Sequence, residues 1–126
     1  RWIFDFFPAL RKFWSVAAGA LSGGQKQMLS IARAIVEPRR LILIDEPTKG
    51  LAPSIIVAMI GAFEELKRAR TTILLVEQNF LFARSLADTV AVMDNGRVAH
   101  RGSMADLAAD KPLQQHLLGL ALDQHQ

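Results

Sequence analysis

The chain has 126 residues, a formal net charge of +3, hydrophobic side chains at 51% of its positions and charged ones at 21%. This balance excludes a disordered, highly charged polypeptide and allows one compact domain with a hydrophobic core. Cysteine is absent, which excludes disulfides and thiolate metal sites and favours a reducing, cytoplasmic compartment. The basic residues are scattered in small groups, so no nucleic-acid partner is expected.

Nothing in the sequence predicts a membrane-spanning helix. The longest apolar stretch runs from Ile55 to Phe63, about half of the roughly 20 residues that such a helix needs. The chain starts at Arg1, without an initiator Met or a secretion signal, and its first residues read as the middle of a domain. We therefore expect a fragment of a longer protein.

The first fourteen residues predict an amphipathic helix that Pro8 caps or kinks. Its apolar stripe comprises Trp2, Phe6, Leu10 and Phe13 or Trp14. Three interpretations are open: packing against the rest of a domain, which the pattern favours, a membrane-surface helix, or a docking surface for a partner.

Ser22 and Gln25 form an S-x-x-Q capping box that predicts a helix from about Gly23 to Val36, ending before Pro38. The unbroken apolar run Leu41–Ile44 predicts a strand buried on both faces of a parallel sheet, with acids at its C-terminal end.

Pro53 suits the first turn of a helix whose apolar stripe reaches Leu66, and Thr72–Val76 is the next predicted strand. This strand, helix, strand order predicts a right-handed crossover in a parallel sheet, so the fold class is α/β. Asn95-Gly96 predicts a tight hairpin, and residues 104–122 predict one or two helices with Pro112 as the break.

Two short segments have the composition of a phosphate-handling site. The glycines of Leu21-Ser22-Gly23-Gly24-Gln25 would let an anion approach the unpaired N–H groups of a helix N-terminus, although Ser22 and Gln25 could simply cap their own helix. Asp45-Glu46 would lie at the C-terminal end of a parallel strand, where open α/β sheets bind ligands. A surface acidic pair in a turn is the alternative.

The segments 21–25, 41–47 and 74–78 resemble, in that order, the signature, Walker B and switch regions of ABC ATPases. The resemblance covers essentially the whole chain. It is strongest to the ATPase subunits of branched-chain amino acid importers, through the stretches at 45–53 and 76–79, and the urea-importer branch is similar. It implies a partial P-loop NTPase fold, with residues 1–20 ending a helical subdomain and residues 21–126 forming the C-terminal part of the nucleotide-binding domain.

The resemblance also implies the roles of individual residues. Asp45 would hold Mg²⁺ through water, and Glu46 would polarise the attacking water. The cofactors would be ATP and Mg²⁺. The γ-phosphate of ATP on the opposite subunit would be clamped by Ser22, Gly23, Gly24 and Gln25. The partners would be a second ATPase subunit and membrane permease subunits, with the protein peripheral at the cytoplasmic face of the membrane.

The chain departs from the family pattern at two positions. The switch position, usually histidine, is Gln78, which can donate to a phosphate oxygen and orient it but cannot carry a proton or charge. In the stretch that resembles the D-loop, 48–53, Ala52 replaces the usual acid, which puts one cross-subunit contact in doubt. Glu77 is interpreted as a solvated or capping acid. The histidines, His100, His116 and His125, lack ligand spacing and are interpreted as structural or exposed.

No G-x-x-x-x-G-K-[ST] loop occurs in the sequence, so the chain alone is expected to be inactive. The implied function is that of the parent protein, ATP hydrolysis that powers import of branched-chain amino acids. Three alternatives are open: import of urea or another small solute, a soluble ABC-type ATPase, and a non-catalytic interaction fragment.

In the family's sheet order the Walker A strand lies between the strands expected here at 72–76 and 89–93. We therefore expect either direct pairing of these two strands or an edge-to-edge or swapped oligomer. The side chains buried in this way would be Leu74, Val76, Val90 and Val92.

Overall fold

The computed structural model describes residues 2–119, which divide into two compact units, one ending at Leu86 and one beginning at Ala87. The elements of the first unit are α1 (Ile3–Phe6), α2 (Pro8–Phe13), a 3₁₀ turn (Ala18–Ala20), α3 (Gly23–Ile35), β1 (Leu41–Asp45), α4 (Pro53–Arg68), β2 (Thr72–Val76) and α5 (Phe80–Leu86). Those of the second are β3 (Thr89–Asp94), β4 (Arg97–Ser103), α6 (Met104–Ala109) and α7 (Lys111–Leu118).

The predicted N-terminal helix is divided in two at Pro8. A proline disfavours helical backbone in the residue before it, and Phe7 accordingly has φ −123° and ψ 72°, while Pro8 starts α2. The buried residues are Ile3, Phe7 and Leu10, so the core-facing stripe differs from the predicted one. They lie in the same hydrophobic core as the buried residues of α3 and α4, and the interpretation of packing against the domain is confirmed.

Helix α3 forms as predicted and ends one residue earlier. Its capping box is complete, because Gln25 N donates to Ser22 Oγ at 3.2 Å and Ser22 N donates to Gln25 Oε1 at 2.9 Å. The apolar face packs into the core through Met28, Ile31, Ala32 and Ile35.

Strands β1 and β2 are joined through α4 and pair in parallel, with Leu43 opposite Leu74 and Asp45 opposite Val76. This arrangement confirms the predicted α/β class with parallel strands. Because parallel strands end at the same edge of a sheet, the residues that follow β1 and β2 lie side by side.

The predicted burial of both sheet faces is wrong. Ile42 and Ile44 are buried in the core, but Leu43 and Leu74 are 68% and 59% exposed, and Leu41 and Val76 are exposed as well. Side chains alternate between the two faces of a strand, and within residues 2–119 the helices cover only one of them.

In the second unit β3 and β4 form the predicted hairpin. Asn95 and Gly96 both have positive φ, 49° and 75°, as the tight two-residue turn requires. The predicted break near Pro112 is confirmed, because α6 ends at Ala109 and Asp110 caps α7. Residues 120–122 of the predicted last helix, and His125, lie outside the described residues.

The predicted direct pairing of the strands at 72–76 and 89–93 is wrong, because β1–β2 and β3–β4 are separate two-stranded sheets. A two-residue turn closes the β3–β4 hairpin with little loss of chain entropy, which favours this local partner. The alternative, an oligomer, stays a prediction. In the described part of the chain, every helix is too short or too polar to cross a bilayer.

Candidate functional site

The carboxyl edge of the β1–β2 sheet holds the predicted acids and the switch glutamine. Asp45 is the last residue of β1, Glu46 follows it, and Glu77 and Gln78 follow β2. The pairing continues beyond the strands, because Glu46 N donates to Val76 O at 2.7 Å. The structure thus brings Asp45, Glu46 and Gln78 to one edge.

Glu46 has a left-handed backbone, with φ 47°. This conformation is uncommon for a residue with a Cβ atom, costs of order 1–3 kcal/mol, and persists where surrounding contacts enforce it. Its N–H is held by Val76, and Gln27 Nε2 on α3 donates to the carbonyl oxygens of Glu46, at 3.4 Å, and Pro47, at 3.3 Å. Sequence reasoning missed Gln27, whose only signal is its position one turn into the helix after the glycines.

The two carboxylates are open to a ligand. Asp45 is exposed and Glu46 is half-buried. Among residues 2–119 neither carboxylate has a hydrogen-bond or ion-pair partner, so their oxygen lone pairs are free. Mg²⁺ is typically bound by one or two carboxylates together with waters and phosphate oxygens, and Asp45 at the sheet edge fits such a ligand.

Glu77 accepts hydrogen bonds from two segments. Its Oε2 accepts from the hydroxyl of Thr48 at 2.9 Å and from Thr48 N at 3.4 Å, and its Oε1 accepts from Gln78 N at 3.0 Å and Asn79 N at 3.1 Å. The interpretation of Glu77 as a solvated or capping acid is wrong, because Glu77 is half-buried and bonded to Thr48, and the side chain that accepts from the first turn of α5 is that of Asn79. Thr48, a buried polar residue, was missed because its partner lies 29 residues away.

At the start of α3 the side chains and the backbone have different roles. Ser22 and Gln25 cap each other's backbone N–H groups. The N–H groups of Gly23 and Gly24 have no acceptor among residues 2–119. A Cβ atom built on Gly23 would meet no atom within 4 Å, so the space beside this residue is open to an anion.

The loop between β1 and α4 packs against this helix start. A Cβ atom on Gly24 would lie 3.4 Å from Gly50 O and 3.8 Å from Leu51 Cδ2. Ala52, the position that departs from the family pattern, is the N-cap of α4 and makes no side-chain capping bond. Without an acid at position 52, Pro53 is the main residue that favours the start of this helix.

An open groove of about 550 Å³ lies elsewhere, along α3, and is lined by Lys26, Ser30 and Arg33 among others. It contains none of the residues described above, and its lining side chains alternate with the core-facing ones of the same helix. We therefore assign the site from the sheet edge and the α3 N-terminus, not from the groove.

Comparison with known proteins agrees with these motifs. The ABC transporter family model matches residues 6–49, which include both the Ser22–Gln25 segment and the Asp45-Glu46 pair. The high-affinity branched-chain amino acid transport ATP-binding protein BraG of Pseudomonas aeruginosa is 39% identical over 117 residues, covering 93% of this chain and 50% of BraG. The chain belongs to the ABC transporter ATP-binding family.

Two further relatives of this ABC ATPase chain differ in the solute they are named for. The probable branched-chain amino acid transport ATP-binding protein LivF of Archaeoglobus fulgidus is 36% identical, over 92% of this chain and 50% of LivF. The L-cystine transport system ATP-binding protein TcyN of Escherichia coli is 38% identical, over 71% of this chain and 36% of TcyN.

Solved ABC cassettes share the fold. MJ1267, an ATP-binding cassette of an ABC transporter, superposes with a TM-score of 0.71 at 27% identity, over 94% of this chain and 47% of MJ1267. The cassette MJ0796, solved as a dimer in a post-hydrolysis state with ADP and Pi, superposes with a TM-score of 0.63 at 26% identity, over 68% of this chain and 37% of MJ0796. The chain spans about half the length of the curated relatives it matches.

Proposed function

We propose that this chain is the signature-bearing half of an ATP-hydrolysing subunit that powers import of branched-chain amino acids. The observation that carries the proposal is the pair of carboxylates, Asp45 and Glu46, which have no partner among residues 2–119 and lie at the carboxyl edge of a parallel sheet. The similarity to BraG and LivF supports the choice of solute. Cystine and methionine transport proteins are also similar, so the transported solute is tested separately from ATP hydrolysis.

The proposed chemistry divides the work between the two acids. Asp45 holds Mg²⁺ through water, and the ion, when bound, neutralises negative charge on the phosphate oxygens. Glu46 accepts a hydrogen bond from the attacking water and orients it. Gln78 donates from its exposed carboxamide to a phosphate oxygen, a role that needs no change of protonation.

The N-terminus of α3 serves a second nucleotide in this proposal. The free N–H groups of Gly23 and Gly24 donate to the γ-phosphate of ATP on the opposite subunit, while Ser22 and Gln25 hold the helix start in shape. The site is then shared between two ATPase subunits. The dimeric cassette MJ0796 supports this arrangement.

The same proposal fixes the partners and location. The subunit docks on membrane permease subunits and lies peripherally at the cytoplasmic face of the membrane. Residues 1–20 end the helical subdomain that precedes the nucleotide-binding part at 21–126. Because the sequence has no glycine-lysine phosphate loop, the 126-residue chain by itself is inactive.

The proposed ATP hydrolysis can be tested in a fusion protein. In this fusion, the N-terminal half of BraG precedes this chain and is joined to it at the equivalent position. The fusion should hydrolyse ATP, and Glu46→Gln should retain ATP binding while hydrolysis falls by about 10²-fold or more. Glu37→Gln, the same charge change at an exposed site, is the matched control. Hydrolysis by Glu46→Gln at the rate of the unsubstituted fusion would refute the role of Glu46, and a folded fusion that binds ATP without hydrolysis would favour the non-catalytic alternative.

Uptake measurements in cells test the assignment of branched-chain amino acids as the transported solute. In Pseudomonas aeruginosa lacking BraG, the fusion should restore uptake of radiolabelled leucine, and its Glu46→Gln variant should not. A fusion that hydrolyses ATP but restores no leucine uptake would contradict the assignment to branched-chain amino acids and leave the ATPase assignment intact.

A further inference from the structure

The Glu77 carboxylate joins the segment after β1 to the segment after β2. We propose that Glu77 is a positioning residue of the ATPase site: by binding Thr48 together with the backbone of Gln78 and Asn79, it holds Glu46 and Gln78 in a fixed relation. This inference rests on the proposed function. We call the four residues Thr48, Glu77, Gln78 and Asn79 the Glu77 clasp.

Both oxygens of Glu77 are used, and each serves a different segment. Oε2 accepts from the Thr48 hydroxyl and N–H, and Oε1 accepts from the N–H groups of Gln78 and Asn79. A carboxylate accepts hydrogen bonds at both oxygens, whereas a carboxamide has one accepting oxygen and a nitrogen that only donates. Glutamine at this position would therefore turn an NH₂ group toward the donors of one segment.

The clasp is attached closely to the proposed catalytic residues. Thr48 is buried and lies two residues after Glu46, and Gln78 directly follows Glu77. The Asn79 side chain accepts from Phe82 N at 3.1 Å at the start of α5, so the second segment is fixed at both ends. A displacement of either segment would move Glu46 relative to Gln78.

Glu46 needs such support because its backbone conformation is unfavourable by itself. The φ of 47° persists only while neighbouring contacts hold the turn. Gln27 holds it from α3 through long hydrogen bonds of 3.3 and 3.4 Å, whereas the Thr48 hydroxyl bond to Glu77 is 2.9 Å. The shorter bond to a charged acceptor is the stronger of the two restraints.

Amide hydrogen exchange in the 126-residue chain tests the coupling without any activity. Thr48→Val removes the hydroxyl at nearly constant side-chain shape. It should speed exchange of the Gln78 and Asn79 amides, which are 30 and 31 residues away in sequence. Thr48→Ser keeps a hydroxyl and should leave these amides exchanging as slowly as in the unsubstituted chain. Glu77→Gln should speed exchange at Thr48, Gln78 or both, and Glu37→Gln should change neither. Exchange at Gln78 and Asn79 that is unaffected by Thr48→Val would overturn the clasp.

Kinetic measurements on the BraG fusion show whether Glu77 positions the catalytic residues or only stabilises the fold. Thr48→Val and Glu77→Gln should each lower kcat, by up to about 10²-fold for a displacement near 1 Å, with KM for ATP nearly unchanged and the fusion still folded at the assay temperature. Thr48→Ser should restore kcat. An unchanged kcat, or a loss of kcat that only parallels unfolding, would refute the positioning role. If the unsubstituted fusion folds but has no hydrolysis, the proposed function fails, while the exchange experiment still decides whether the clasp exists.

Discussion

Gly24 and Gly50 approach each other so closely that a Cβ atom on residue 24 would lie 3.4 Å from the Gly50 carbonyl oxygen. That separation is at the short limit of an ordinary van der Waals contact, so alanine fits at position 24 with a shift of the loop of at most a few tenths of an ångström. The same methyl group would, however, stand beside the free N–H groups at the start of α3. Alanine at position 24 is therefore compatible with folding but would hinder the approach of an anion to the N-terminus of α3.

We predict that Gly24→Ala folds normally but impairs nucleotide handling. The free energy of unfolding should change by less than about 1 kcal/mol, because alanine is the better helix former and the contact is tolerable. ATP-dependent dimerisation of the BraG fusion should weaken, as measured by size-exclusion chromatography with the Glu46→Gln background to trap ATP. The control is Gly19→Ala, where a Cβ would meet no atom within 4 Å. Unimpaired dimerisation by Gly24→Ala would contradict the role of this helix start.

Gly61 in α4 is required for a different reason. A Cβ atom there would lie 2.7 Å from Phe6 Cε1 and 2.9 Å from Cδ1, closer than van der Waals contact permits. Glycine to alanine in a helix interior normally stabilises by up to about 1 kcal/mol. Here we expect Gly61→Ala to destabilise the chain by about 1–3 kcal/mol, because the Phe6 ring must move. Urea unfolding followed by circular dichroism measures the change.

A double-mutant cycle isolates this contact. In the background of Phe6→Ala the ring is gone, and Gly61→Ala should then be neutral or stabilising. Equal destabilisation by Gly61→Ala in both backgrounds would show that the Phe6 ring is not the cause.

The backbone of Glu46 predicts an unusual order of stabilities. Substitution by glycine removes the steric strain of the left-handed conformation, which costs a residue with a Cβ atom roughly 1–2 kcal/mol. Glycine also loses more entropy on folding, roughly 0.5–1 kcal/mol relative to alanine. We therefore expect Glu46→Gly to be more stable than Glu46→Ala by up to about 1.5 kcal/mol, measured by thermal unfolding.

Glu37 provides the comparison, because it is not among the positive-φ residues of the described chain. There the alanine variant should be at least as stable as the glycine variant. If the alanine variant were also the more stable one at position 46, Glu46 would not have a left-handed backbone conformation in solution.

The sequence predicts the local elements well because each has its own signal. Ser22 and Gln25 mark the start of α3, Pro8 marks the break between α1 and α2, and Asn95-Gly96 marks the hairpin. Each signal acts over a few residues through capping or φ restriction, so no tertiary information is needed to find it.

Long-range features of the site could not be predicted in this way. The Thr48–Glu77 bond spans 29 residues and the Gln27 bonds span 19 and 20, and no local pattern specifies such pairs. The exposed face of β1 was missed for a related reason: the run Leu41–Ile44 is apolar at every position, and an unbroken apolar run indicates burial without saying what covers each face.

The uncovered face of the β1–β2 sheet leads to the last prediction. Leu43 and Leu74 are paired across the strands and are 68% and 59% exposed, with Leu41 and Val76 exposed on the same face.

We expect the 126-residue chain to self-associate through this face, because a contiguous exposed apolar patch gains free energy when it is buried. Sedimentation velocity at increasing micromolar concentration should show a rising average mass. The double variant Leu43→Thr with Leu74→Thr, which introduces a β-branched strand former at both positions, should shift the chain toward monomer. The double variant Val57→Thr with Leu81→Thr, at 68% and 70% exposed sites on α4 and α5, also replaces two exposed apolar side chains and should leave association unchanged. A chain that stays monomeric at all concentrations, or that is affected equally by both changes, would contradict association through this sheet face.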